Sequence, residues 1–277
     1  MGTLAVRLLG SFSAVVAEQE VPGLNRHRLH ELFAYLLLYS GRQHPRELVA
    51  DALWGDTENG HARKYLRQGL WQLQSALRVT GPSAQWRLVV DSQSVSLVVG
   101  NDLWLDTHAL EASYTAAKGI PVQNLDAPAH QALREAAELY RGPLLQDCYR
   151  DWCLQERVRL DAAYVAILDK LIVLSELHGD YESGLDYGAR ILGRDRASEQ
   201  THRHMMRLHY LRGDRTAALR QFQACVTALA DEFGVAPARG TIALNDQIRG
   251  DHALAIAAGS ALTSAGNGAE SIATIFA

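Results

Sequence analysis

Residues 62–78 read ARKYLRQGLWQLQSALR, and the fold of the chain is decided by what this stretch is. Leu66, Leu70, Leu73 and Leu77 recur at helical spacing and form one apolar stripe. At about 100° per residue, Lys64, Arg67, Gln68, Trp71, Gln74, Ser75 and Arg78 fall on the far side. No acid occurs anywhere in the stretch. A solvated helix face ordinarily mixes Glu with Lys for i,i+4 pairing and rarely shows a Trp. Arg, Lys and Gln are instead the groups that contact phosphates and base edges. The helix alone remains open between a plain surface helix and a nucleic-acid reader, and its neighbours decide.

On its N-terminal side, residues 3–9 (TLAVRLL) and 12–16 (FSAVV) are aliphatic or β-branched runs around Gly10-Ser11, which predicts a small antiparallel sheet. Residues 27–41 (HRLHELFAYLLLYSG) carry Leu29, Leu32, Phe33, Leu36 and Leu37 at helical spacing and stop at Gly41. Residues 45–54 (PRELVADALW) predict a short helix opened by Pro45 and closed by Gly55. On the C-terminal side, residues 86–90 (WRLVV) and 95–99 (VSLVV) flank DSQS and predict a hairpin. Sheet, three helices, hairpin is the order of a winged helix–turn–helix, whose third helix enters a major groove while the wing touches backbone or minor groove. Arg67 and Gln68 lie early and outward, where base edges are in reach, and Arg78 lies late, nearer a phosphate. Trp71 either stacks on a sugar or thymine methyl or packs against the wing. Arg87, in the first wing strand, either reaches backbone or does nothing. The segment GPSAQ (81–85), taken as the wing tip, carries no charge, which weighs against deep minor-groove insertion.

Charge limits what such a face can do. The net charge is −4, and residues 1–106 hold ten Lys and Arg against ten Asp and Glu. Any DNA contact must therefore come from a local patch. The chain's 277 residues suggest two domains. The N-terminus shows no charged leader before a long apolar core, so no signal peptide is expected. Cys148, Cys153 and Cys225 are too scattered for a disulfide framework and fit buried thiols in a reducing, cytoplasmic compartment.

From Asp106 the pattern is helical. LHGD at 177–180 recurs as LRGD at 211–214, an offset of 34 residues that also pairs Leu185 with Leu219 and Ile191 with Cys225. That period is the tetratricopeptide signature, and it predicts Leu177 and Leu211 buried between paired helices. His202, His204 and His209 share one helix, but without an acidic partner they make a poor metal site. No G-x-x-x-x-G-K-[ST], G-x-G-x-x-G or H-E-x-x-H occurs, so neither catalytic residues nor a cofactor is expected. The small-residue tail 251–277 is too polar for a membrane span and is expected to be a flexible extension.

Two resemblances sharpen this reading. LLLYSGRQHPRELVADALWGD, with Trp54 and Gly55 at its Trp-Gly, resembles the first-to-second helix passage of the response-regulator type of winged helix. In that family the DNA-reading helix would here carry Arg63, Lys64, Arg67, Gln68, Trp71, Gln72, Gln74 and Ser75. YRGPLL, then Trp152, Glu156, Arg157, Arg159 and Leu160 in DWCLQERVRL, then ADEFGVAPA resemble the bacterial transcriptional activator domain. That domain sits directly behind a winged helix in the Streptomyces antibiotic regulatory protein family, and VDSQSVSLVVGNDLWLDTHALE looks like the junction in its non-actinobacterial members. The resemblance spans residues 3 to 251. It implies an α+β winged helix–turn–helix domain over 1–105 and an all-α tetratricopeptide-like activator domain over 106–250. The chain is then a non-enzymatic activator that binds double-stranded promoter repeats, as a possible homodimer on DNA, and touches RNA polymerase with its helical domain and the loop 56–61. No phosphoacceptor domain precedes the winged helix, so phosphorelay control within the chain is not expected. The rival is a tetratricopeptide interaction adaptor whose winged helix no longer binds DNA, favoured by the neutral N-terminal half and opposed by the acid-free helix.

Overall fold

The computed structural model describes residues 3–24, 27–57, 61–78 and 87–251. An α+β N-terminal region is followed by helices alone, as the element order predicts. Strands β1 (Leu4–Arg7), β2 (Ser13–Val16), β3 (Gln19–Glu20) and β7 (Leu103–Leu105) form one sheet in the order β3-β2-β1-β7. β1 runs antiparallel to β2, with Leu4 opposite Val16, and parallel to β7, with Leu4 opposite Leu103. Leu4 and Val6 are buried while Ala5 and Arg7 are not, the two-residue period of a half-covered strand. Helices α1 (His27–Leu38), α2 (Arg46–Trp54) and α3 (Ala62–Arg78) follow. A second sheet, β4-β6-β5, pairs His44–Pro45 and Arg87–Val90 with Ser94–Val98. β3, β4 and β7 go beyond the sequence-based expectation: at two or three residues each they are too short to show alternation.

The wing hairpin turns at 91–93, within the DSQS that the two strand runs flank, so GPSAQ, which precedes β5 and lies outside the described residues, is not its tip. The Asp91 carboxylate accepts from the amides of Gln93 at 2.8 Å and Ser94 at 2.7 Å, and hydrogen bonds from Ser94 and Gln93 hold it below the ordinary carboxylate range. Arg46, at the start of α2, donates to the Asp91 carbonyl at 2.9 Å. The hairpin turn is therefore charged and tied to the helix–turn–helix.

The chain divides into two compact units that interleave in sequence: residues up to 116 with 132–164, and 117–131 with the helices from 165 onward. In the first unit the winged helix is completed by residues beyond 105. Leu9 bridges Leu144, the Gly10 amide donates to the Pro143 carbonyl at 3.0 Å, and the Leu145 amide to that of Leu8 at 2.8 Å. Asp106 opens α4 (Asp106–Ala117), and its buried carboxylate accepts from the amides of Leu8 and Leu9 at 2.9 Å and Thr107 at 2.8 Å. Tyr39 donates to Glu156 at 2.8 Å, and Arg150 to the buried Glu31 at 3.0 Å.

The second unit explains the 34-residue repeat. α5 (Ala127–Leu139) and α6 (Asp151–His178) contribute to both units, and α7 (Tyr181–Leu192), α8 (Glu199–Leu211), α9 (Arg215–Phe233) and α10 (Arg239–Arg249) belong to the second alone. Gly179 (φ +72°) and Gly213 (φ +87°) adopt the left-handed conformation that ends a helix cheaply only without a Cβ. Asp180 and Asp214 then cap the next helix by accepting from the amides of Ser183 at 3.3 Å and Ala217 at 2.9 Å. Leu177 and Leu211, expected in the core, are only half-buried. They sit in the last helical turn beside the cap, so the recurring tetrapeptide records turn chemistry rather than packing. The buried equivalents lie further on, Gly184 with Ala218 and Ile191 with Cys225. Between α6 and α8, the fully buried Glu176 carboxylate receives the Arg207 guanidinium at 2.5 Å.

Two expectations follow. Asp106→Ala strands the amides of Leu8 and Leu9 in the interior and should cost about 1–3 kcal/mol for each amide left unpaired, read as a lowered melting temperature of the full chain. Asp180→Ala and Asp214→Ala should each cost about 1 kcal/mol, and denaturant midpoints unmoved in both would remove the cap assignment.

Candidate nucleic-acid interface

α3 turns Leu66, Gly69, Leu70, Leu73, Ala76 and Leu77 inward, and it packs on α1 and α2. The leucine stripe fixes its rotation and Gly69 its distance. A Cβ built on Gly69 would lie 3.1 Å from Leu32 Cδ2 of α1 and 3.4 Å from the Trp54 ring of α2. The helices thus meet where the sequence has glycine against tryptophan.

The opposite face is in solvent. Lys64, Arg67, Gln68, Gln74, Ser75 and Arg78 are all exposed, and Trp71 is 68% exposed. Of the two alternatives for Trp71, packing against the wing is not what the structure shows. Gln72 is half-buried at the margin of the stripe. The Ser75 hydroxyl donates to the Trp71 carbonyl at 2.9 Å, one turn back along the helix. Arg87 is exposed at the start of β5, opposite Val98. Among the described residues no acid forms an ion pair with Lys64, Arg67, Arg78 or Arg87. Arg63 differs: it pairs with Glu47 of α2, both side chains largely in water. The acid missing from the helix itself is thus supplied to one cation by its neighbour.

This surface also carries groups that the spacing of α3 does not announce. Leu48 of α2 is 62% exposed and Tyr65 of α3 is 39% exposed. Leu48 breaks the apolar spacing of its helix, a signal present in the sequence, whereas the Arg46 link to the hairpin turn has none. In the loop 56–61, residues 58–60 lie outside the described residues. Asp56 accepts from Arg150 at 3.3 Å, and the Thr57 hydroxyl donates to the Trp54 carbonyl at 2.6 Å.

The remaining candidates are structural. His202 bonds the Arg196 carbonyl at 2.9 Å through Nε2 and the Gln221 amide at 2.7 Å through Nδ1. Burial pushes the imidazoles of His204 and His209 below their ordinary values. No group of three His, Cys, Asp or Glu among the described residues could hold a metal ion. The three cysteines are buried and free; a hydrogen bond with Cys148 and burial raise the Cys153 thiol, and burial pushes Cys225 up to about 11. None is poised as a nucleophile. No helix among the described residues is long and apolar enough to cross a membrane.

The side chains that close the first unit also carry the YRGPLL…DWCLQERVRL pattern. Trp152 is buried with its edge toward Tyr35, Glu156 accepts from Tyr39, and Arg157 donates to the carbonyl of Leu144 at 2.6 Å and to that of Leu145. Residues 105–249, more than half the chain, match the family model of the bacterial transcriptional activator domain. The chain belongs to that family. It is accordingly a transcriptional regulator, from a family of activators and not of enzymes. Among solved structures it resembles Mycobacterium tuberculosis EmbR in complex with a low-affinity phosphopeptide, at a TM-score of 0.77 and 20% identity over 92% of this chain and 67% of that one. This likeness extends the shared fold to the winged helix, beyond the residues the activator-domain model matches. No curated protein sequence matches the chain.

Gly69→Val would push branched carbons into Leu32 and Trp54. A cost of about 1–3 kcal/mol from overpacking is expected, read as a lower melting temperature, and an unchanged melt would refute the close approach of α2 and α3.

Proposed function

We propose that this activator-domain protein binds double-stranded promoter DNA through the outward face of α3 and holds RNA polymerase at the promoters it occupies. One observation carries the reading: Lys64, Arg67, Gln68, Gln74 and Arg78 stand in water on a helix whose opposite face is locked into the core. Such groups supply charge to phosphates and paired donors to base edges. Arg67 and Gln68 face the bases, Arg78 and Arg87 the backbone, and the hairpin sets register. Arg63, held by Glu47, contributes less to phosphate neutralisation than its position suggests. Two protomers on repeated half-sites enlarge what is a modest interface for one winged helix. The helical domain and the loop 56–61 face polymerase, a role that rests on family analogy. Such a role belongs in the cytoplasm, with the chromosome.

The test uses the full chain. Duplexes selected from a random pool define the operator. Arg67→Ala with Gln68→Ala should weaken operator binding by about 1–3 kcal/mol for each base-edge interaction removed. The melting temperature should stay unchanged, because both side chains point outward. Unchanged affinity and sequence preference would show that α3 is not the reader. With the operator saturated, polymerase occupancy of the adjoining promoter should rise, and no rise would remove the recruitment step. Failure to select any duplex, with capture of a protein partner instead, would favour the adaptor.

A further inference from the structure

We infer that Trp71 reads the 5-methyl group of thymine in the major groove, so that sequence preference at the centre of each half-site is for T·A pairs; this rests on the DNA-binding reading of α3. Three observations converge on that side chain. The indole is 68% exposed, whereas Trp54 and Trp152 are only 6% and 7% exposed. An indole left in water forgoes the stabilisation that its large apolar area gives on burial, so its position is explained by a surface that covers it.

Its neighbours say which surface. Lys64, Trp71 and Arg78 are seven residues apart in turn. Seven residues advance about 10.5 Å along a helix and return to within about 20° of the same direction. The three side chains therefore form a single ridge, with a cation at each end and the ring between. Arg67 and Gln68 flank the ring one turn before it, Gln74 and Ser75 one turn after. Cations at the ends meet phosphates, and a ridge anchored at both ends lowers its middle toward the base edges in a groove about 12 Å wide.

The chemistry of the groove floor completes the argument. Every base pair there presents donors and acceptors, and thymine alone adds an apolar methyl group. The indole ring is a large apolar face with one donor, and the nearest hydroxyl, that of Ser75, already donates to the Trp71 carbonyl. An apolar ring at the centre of a polar face matches a methyl group, not a carbonyl or an amine.

The experiment measures affinity of the full chain for its selected operator and for operators in which each thymine in turn is replaced by deoxyuridine, which removes only the methyl. One or two replacements at the centre of a half-site should weaken binding about fourfold each, the equivalent of one buried methyl group. Trp71→Ala should bind the parent operator more weakly and lose that discrimination, while a control change of Arg78→Ala should keep it. Trp71→Ala should leave the melting temperature nearly unmoved, since most of the side chain is already in water. Equal affinity for all deoxyuridine operators, or the same loss in wild type and Trp71→Ala, overturns the inference while DNA binding by α3 stands. Absence of any specific operator overturns both.

Discussion

A buried carboxylate, that of Asp106, governs how the winged-helix part of the chain is built. It takes the amides of Leu8 and Leu9, at the end of β1, and of Thr107, its own neighbour. Burial pushes the carboxyl up while those amides pull it down, and without them an ionised group would not sit there. Each side thus requires the other, and the last strand of the winged-helix sheet hands over directly to the first helix of the activator region. Residues 143–145 repeat the link by bonding the backbone of Leu8 and Gly10.

This seam reaches α3 within one compact unit. Arg150 and Trp152 grip α1 at Glu31 and Tyr35, and Glu156 holds Tyr39 just past its end; α1 is one of the two helices on which α3 rests. Residues 1–106 on their own would leave the ends of β1 and the outer side of α1 uncovered. The family's sequence pattern in this segment therefore has a conformational part: Trp152, Glu156 and Arg157 join it to Tyr35, Tyr39 and the carbonyls of Leu144 and Leu145.

The winged helix–turn–helix is legible because its three helices carry long periodic apolar runs and its hairpin has two five-residue runs. The parts that escape a reading of the sequence are those without a period. β3, β4 and β7 contain two or three residues each, and the membership of β7 beside β1 depends on pairing between residues 99 positions apart, Leu4 with Leu103. The repeat is visible, yet it does not mark the core at Leu177 and Leu211, because Gly and Asp fix a turn whatever the preceding residue packs against. On α3, the split between core and solvent faces follows from spacing alone. The capture of Arg63 by Glu47 does not, since the two residues belong to different helices and meet only when α2 and α3 cross.

Charge sets how the proposed binding must work. The exposed cations outside ion pairs among the candidate contacts are Lys64, Arg67, Arg78 and Arg87. With Arg67 on a base edge, the three cations left for phosphates correspond to a salt slope of about −2.7, shallower than that of regulators with long basic stripes. Electrostatic attraction of that size steers the protein to DNA but holds it weakly. Residence at one promoter must then come from base contacts by Arg67, Gln68 and Trp71, and from linkage to a second protomer or to polymerase, where effective concentration multiplies a modest affinity. A nearly neutral winged helix fused to a helical interaction domain suits an activator whose occupancy depends on its partners.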